Sequence, residues 1–347
     1  MTLPQTNFTP PFNITRASHL VFTARDLEAS RAFYTEVLGL IVSDEDADTL
    51  WLRGVEERAH HSLTLKRTAA QPICERVGFR VFTDDDLEKA KAHFDRAGIA
   101  THWADVPYQG RTLHVADSAG TPLELCARME TRPRMHTRLD THKGGRALRM
   151  DHYQVIVPDV PAAAKFYLDL GFRISDYICI EGTERVVGMF LHRKDNPWDM
   201  VFLHRAGPRF HHFGYVVESM HDMIRAFDVA GNIGFADAIE HGPGRHGHSH
   251  SYYTYLRDPD GHRCELLLPA VQLIDIDEEP QRYTITPGRN SNRWGLPAPR
   301  SWIEEASDFA EVTIVKPAME GSPYTLEKYL EAKAAAWSAS TEQDCVA

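Results

Sequence analysis

The chain has 347 residues, 43% hydrophobic and 25% charged, which is ordinary globular usage with enough apolar material for a real core and too long for one small module. Lysine and arginine total 38 against 49 acidic residues, and the resulting net charge of −11 disfavours phosphate backbones and anionic lipid, so neither nucleic acid nor membrane is an expected partner. No apolar run approaches the roughly 20 residues of a bilayer-spanning helix, residues 1–15 lack the order of a secretory signal, and Cys74, Cys126, Cys179, Cys264 and Cys345 form no CxxC or disulfide framework, so a cytoplasmic setting is expected.

After an N-terminal arm, residues 1–16, His19 to Ala24 reads as a short apolar strand. Asp26 can cap the helix that follows, whose buried stripe includes Phe33, Tyr34 and Leu38 and which Gly39 ends. Val77 to Phe82 reads as another strand, followed by a helix ending near Gly98, and Leu113 to Leu125 reads as a hairpin. The same succession then returns: a strand from His152, a cap at Asp159, Phe166-Tyr167 and Gly171, a strand from Phe213, a helix ending near Gly231, and a hairpin turning through Asp258-Pro-Asp-Gly. Matches at three ordered places mark an internal duplication. The predicted organisation is a first repeat over residues 17–128, a linker over 129–149, a second repeat over 150–268 and an extension over 269–347. That extension is proline-rich with little periodicity before a helix-like Thr325 to Ser338, and reads as a lid or interface arm.

The 19 histidines are the unusual feature of the composition. His152 opens the first strand of the second repeat, His212 opens a later strand and Glu265 lies in the last, at separations of 60 and 53 residues that no local motif explains. A curved sheet would bring equivalent strand ends together. Two imidazoles and a carboxylate then form the facial set that holds Fe(II) or a similar ion and leaves positions open. The matching residues of the first repeat are His19, Arg76 and Glu124, and a guanidinium cannot ligate a metal. One site per chain is expected. Strand alternation turns His211 to the opposite face from His212, so a change at His211 is expected to be mild.

These residues, with His241-Gly-Pro-Gly-Arg-His-Gly, Tyr255 and Asp258-Pro-Asp-Gly-His-Arg-Cys-Glu265, resemble the type I extradiol catechol dioxygenases of the vicinal oxygen chelate superfamily over roughly residues 15 to 305. The resemblance implies an α+β fold of tandem βαβββ modules, two per repeat, in curved mixed sheets. It implies Fe2+, with Mn2+ as the alternative, bound by His152, His212 and Glu265, and O2 as co-substrate of a catechol opened beside its diol. His246 and Tyr255 match catalytic positions, Tyr255 beside the substrate oxygen and His246 beside dioxygen. Gln154, Phe190, Trp198, His241, Leu267, Asn290 and Arg293 match the substrate pocket, and the family suggests a homo-oligomer, tetramer or dimer.

Departures from the family pattern are as informative. Trp198 stands, without a gap, where the family places its acid–base histidine, and an indole has no group that titrates near neutral pH. His241 and Asn290 stand where relatives use arginines to hold a carboxylate-bearing catechol, with Arg289 and Arg293 close by. A less acidic or bulkier substrate is expected. A metalloenzyme of the same superfamily on a non-catechol substrate is the alternative, and a non-catalytic small-molecule binder a second one, although a binder has little use for three ligands plus Tyr255.

Overall fold

In the computed structural model, which describes residues 3–319 and 321–344 and so leaves Cys345 outside the described residues, the duplication becomes two mixed sheets built on one plan. The first contains β1 (Ile14–Ala24), β2 (Ile41–Glu45), β3 (Thr49–Arg53), β4 (Leu63–Arg67), β5 (Cys74–Val81), β6 (Thr101–Ala104), β7 (Thr112–Ala116) and β8 (Pro122–Cys126). Helices α1 (Leu27–Ala32) and α2 (Asp84–Arg96) follow β1 and β5. The second contains β9 (Arg149–Val157), β10 (Arg173–Ile180), β11 (Val186–His192), β12 (Met200–His204), β13 (Arg209–Val216), β14 (Ile239–Arg245), β15 (Tyr252–Arg257) and β16 (Arg263–Leu267), with α3 (Val160–Asp169) after β9 and α4 (Met220–Asn232) after β13. Each sheet is therefore two βαβββ modules.

The strand orders are β2-β3-β4-β1-β5-β8-β7-β6 and β14-β15-β16-β13-β9-β12-β11-β10, the second sheet being extended by β17 (Gln281–Ile285). In each sheet the opening strands of the two modules pair antiparallel at the centre, β1 with β5 and β9 with β13. Each opening strand also pairs parallel with the closing strand of its own module. The plan places β9, β13 and β16 side by side, so residues far apart in sequence become lateral neighbours.

Local chemistry accounts for the helices. The Asp26 carboxylate accepts from the Glu28 and Ala29 amides and that of Asp159 from the Ala162 amide, satisfying donors a helix start leaves free. Thr83 with Asp86, and Ser219 with Asp222, close reciprocal capping boxes on α2 and α4. α4 ends at Asn232, next to Gly231 as expected, and the left-handed residue that turns the chain is Gly234, φ 91°. The core is continuous across the two repeats, with Phe22 against Phe210 and Phe79 against Tyr153 at ring-centroid distances of 5.2 and 5.8 Å.

In the extension, β17 lies parallel to β10, and α5 (Arg300–Glu304) and α6 (Leu326–Asp344) follow. β17 has no counterpart among the strands expected from the sequence. Only Tyr283 and Ile285 of its five residues are even half-buried, so it carries little apolar alternation and owes its form to the edge it joins. No described helix is long and apolar enough to cross a membrane.

Candidate metal centre

The centre is organised around a glycine. Gly214 of β13 pairs with His152 of β9 on one side and with Glu265 of β16 on the other, and His212 lies two residues earlier on the same strand. A Cβ at Gly214 would stand 2.6 Å from His152 Cε1 and 2.9 Å from Leu267 Cδ2, so a residue with a side chain here would push the ligands apart. With glycine in place, the Nε2 atoms of His152 and His212 approach to 3.2 Å, and both approach Glu265 Oε2, at 3.2 and 3.4 Å. All three side chains are buried, and among the described residues this is the trio of ligand-type groups whose donor atoms gather within 4.8 Å.

Both imidazoles are held from behind. His152 Nδ1 is 2.9 Å from Asp151 Oδ2, and Asp151 is held in turn by the Asn196 amide. His212 Nδ1 is 2.7 Å from His211 Nδ1, and His211 Nε2 is 2.7 Å from the Trp302 carbonyl. For both ligand Nε2 atoms to present lone pairs, the hydrogens must sit on Nδ1, and each Nδ1 has an acceptor: a carboxylate for His152, and for His212 a histidine that passes its own hydrogen to a carbonyl. Burial, with Arg263 nearby, keeps His211 well below the ordinary histidine pKa and therefore neutral. The expectation that His211 turns to the face opposite His212 is thus corrected. The β9–β13 register shifts between Phe210 and His212, and this bulge brings His211 beside its neighbour and onto the cavity wall.

The electrostatics suit a cation. Burial opposes ionisation of Glu265, but hydrogen bonds from His152, His212 and His246 hold its carboxyl well below the usual carboxylate range. Burial also disfavours a charged His152, yet bonding to Asp151 and Glu265 outweighs it and raises the pKa to about 9. His212, which shares the same carboxylate, is pushed by burial down to about 4. One anionic carboxylate attracts one proton, and His152 takes it. A divalent ion would replace that proton at the same point, and the donor set of two neutral nitrogens and one carboxylate oxygen fits Fe(II) or Mn(II).

Above the trio lies a cavity of about 430 Å³. Gln154, Phe190, Trp198, His241, His246, Tyr255 and Asn290 line it; Leu267 and Arg293 do not. Leu267 is buried in a small apolar cluster with Phe190 and Trp198, and Arg293 instead bonds His250 Nε2 at 2.5 Å. His246 Nε2 is 3.3 Å from Glu265 Oε1 and 3.2 Å from the Tyr255 hydroxyl. Trp198 packs edge-on to His152, ring centroids 5.3 Å apart, and donates its indole N–H to Asp176 at 3.4 Å; burial raises the Asp176 carboxyl to about 6. The Gln154 amide nitrogen is buried without a partner among the described residues, a donor left for something in the cavity.

Other lining residues were not anticipated. Ile178, Val187, Val201, Leu203 and Ile285 form an apolar wall from β10, β11, β12 and β17, and the extension contributes Tyr283, Trp302 and Tyr324. Strand alternation in β10 to β12 could have flagged the wall. Apart from Asn290, nothing in the sequence of the extension marks its residues as lining. His248 also faces the cavity; of its histidine-rich run the sequence had singled out His241 and His246 and not His248.

In the first repeat Gly78 is flanked by His19 and Glu124 in the same register, with Arg76 in the place of His212. Here the Glu124 carboxylate is saturated by His19, His114 and Gln109, each at 2.8 Å.

A model of the Glyoxalase/Bleomycin resistance protein/Dioxygenase superfamily matches residues 16–136 and 149–266. The chain is similar to a metapyrocatechase of Geobacillus stearothermophilus, 24% identical over 90% of this chain and 99% of that protein. It is also similar to a manganese-dependent 2,3-dihydroxybiphenyl 1,2-dioxygenase of Geobacillus genomosp. 3, 26% identical over 77% of this chain and 89% of that one. Among solved structures, a mutant homoprotocatechuate 2,3-dioxygenase of Brevibacterium fuscum superposes with a TM-score of 0.86 at 32% identity, covering 92% of this chain and 90% of that chain.

Proposed function

Because this chain belongs to the Glyoxalase/Bleomycin resistance protein/Dioxygenase superfamily, we propose that it is a metal-dependent extradiol ring-cleaving dioxygenase whose ion is held by His152, His212 and Glu265. The observation that carries the reading is the buried, convergent trio with both imidazoles fixed from behind, under a cavity large enough for a substituted aromatic ring. A divalent ion, Fe2+ first and Mn2+ as in the manganese-dependent relative, would supply adjacent open positions for a catechol and O2. The chain's own residues do the rest. Tyr255 donates to a substrate oxygen, His246 stands between Tyr255 and Glu265, and the orphaned Gln154 amide donates to an oxygen of bound substrate. The apolar wall excludes water from the ring, and Trp198 offers it an aromatic face.

The preferred substrate is a catechol that is neutral or carries an apolar substituent, used in aromatic-compound degradation. Burial pushes His241 down to about 4, so it is neutral and cannot clamp a carboxylate, and the Asn290 amide is already committed to the Gly295 carbonyl at 2.9 Å. A cytoplasmic homo-oligomer is the setting we propose. Anaerobic purification with metal analysis, followed by oxygen uptake on a panel of neutral and acidic catechols, tests the reading. Stoichiometric iron or manganese and an oxygen-dependent yellow product are expected. A metal-replete protein inert to every catechol would refute it.

A further inference from the structure

Ring opening requires a proton to move between substrate and dioxygen oxygens, and the cavity offers several histidines for the task. Most are committed. His152 and His212 belong to the metal trio, and His211 is bonded through both nitrogens. His204 Nε2 lies 2.9 Å from the Met319 carbonyl, His241 Nε2 lies 3.1 Å from the Tyr253 hydroxyl, and His246 Nε2 is bracketed by Glu265 and Tyr255. His248 is different. Its Nδ1 has only Ser249 Oγ, at the 3.5 Å limit, and its Nε2 has no hydrogen-bond partner among the described residues. Yet the ring is well fixed, against Phe190 at 4.5 Å, His246 at 4.8 Å and Trp198 at 6.3 Å between centroids.

Resting on the extradiol reading, we propose that His248 is a catalytic acid–base residue of this reaction. Its Nε2 accepts the proton of a substrate hydroxyl as the catechol binds, and returns it to an oxygen atom of the former dioxygen as the O–O bond breaks, so the imidazole begins and ends neutral. The four electrons that reduce dioxygen come from the ring, whose C–C bond beside the diol breaks, and both oxygen atoms remain in the product. No other reductant is needed. Burial, reinforced by His246, holds the resting imidazole well below the ordinary histidine pKa, the form that must accept first. The position also accounts for Trp198: an indole can occupy that wall because the neighbouring ring moves the proton.

The test uses the metal-loaded enzyme and its best catechol from the panel. His248→Gln and His248→Ala are expected to bind metal and, anaerobically, the catechol as the wild type does, while kcat falls by about 10²–10⁴, the usual worth of general acid–base catalysis. Added imidazole is expected to raise kcat of His248→Ala at least about tenfold, with substituted imidazoles ordered by their basicity, a response that lost packing alone would not give. Either variant turning over within about threefold of the wild type, or failure of every imidazole to restore His248→Ala, would overturn the assignment. A wild type that consumes no oxygen with any catechol would sink the extradiol reading and this proposal with it.

Discussion

Gly214→Ala tests the architecture of the centre with one methyl group. The added Cβ would lie 2.6 Å from His152 Cε1, whereas non-bonded carbons rest about 3.5–4.0 Å apart, so the His152 ring must retreat by roughly 1 Å. Metal–ligand distances tolerate only about 0.2 Å, and displacing a ligand by several times that amount removes it from the sphere. Metal affinity is therefore expected to fall at least about 100-fold, roughly 2.7 kcal/mol at 1.36 kcal/mol per decade. Gly78→Ala is the matched control. Its Cβ would meet the His19 ring at 2.3 Å, an equal or worse crowding, but in the repeat whose carboxylate is saturated by protein donors. Both variants are expected to lose thermal stability, and only Gly214→Ala to lose metal, read by elemental analysis after dialysis and by titration calorimetry. Wild-type metal affinity in a folded Gly214→Ala, or equal metal loss in Gly78→Ala, would refute the reasoning.

Removing the second support of a ligand should also register: His211→Ala takes the acceptor from His212 Nδ1, and metal affinity is expected to drop about 10- to 100-fold, measured by competition with a chelator. Asp176, raised to about 6 from an ordinary value near 3.8, binds its proton more tightly folded than unfolded, so its cost to stability is absent below about pH 4, grows as pH rises, and is complete above about 6. Asp176→Asn should therefore gain stability over the wild type by up to about 3 kcal/mol at pH 7 and by little at pH 4, as urea unfolding at the two pH values would reveal; an equal difference at both would contradict the shift. Trp198→His removes an apolar face beside His152 and is expected to weaken binding of an apolar-substituted catechol by about 10- to 200-fold while keeping turnover of unsubstituted catechol. Loss of both activities would show that the indole is needed for more than contact.

Much of this protein was legible in the residues themselves, because the signals were local or repeated. Caps at Asp26 and Asp159, the turn at Asp258-Pro-Asp-Gly and the apolar runs of the opening strands each act within a few residues, and their recurrence exposed the duplication. His152, His212 and Glu265 could be named because each sits at an equivalent place in a module, and the guanidinium of Arg76 excluded the other repeat. What the sequence could not express was pairing between distant strands. The extra residue in β13 that turns His211 toward His212 exists only relative to β9, and strict alternation misplaced it. The role of Gly214 follows from having His152 on one side and Glu265 on the other, and β17 is a strand only because the edge of β10 is there to receive it. His248 is one histidine among several in its run, and its own place on the cavity wall was decided by its packing against Phe190 and Trp198, contacts no spacing encodes.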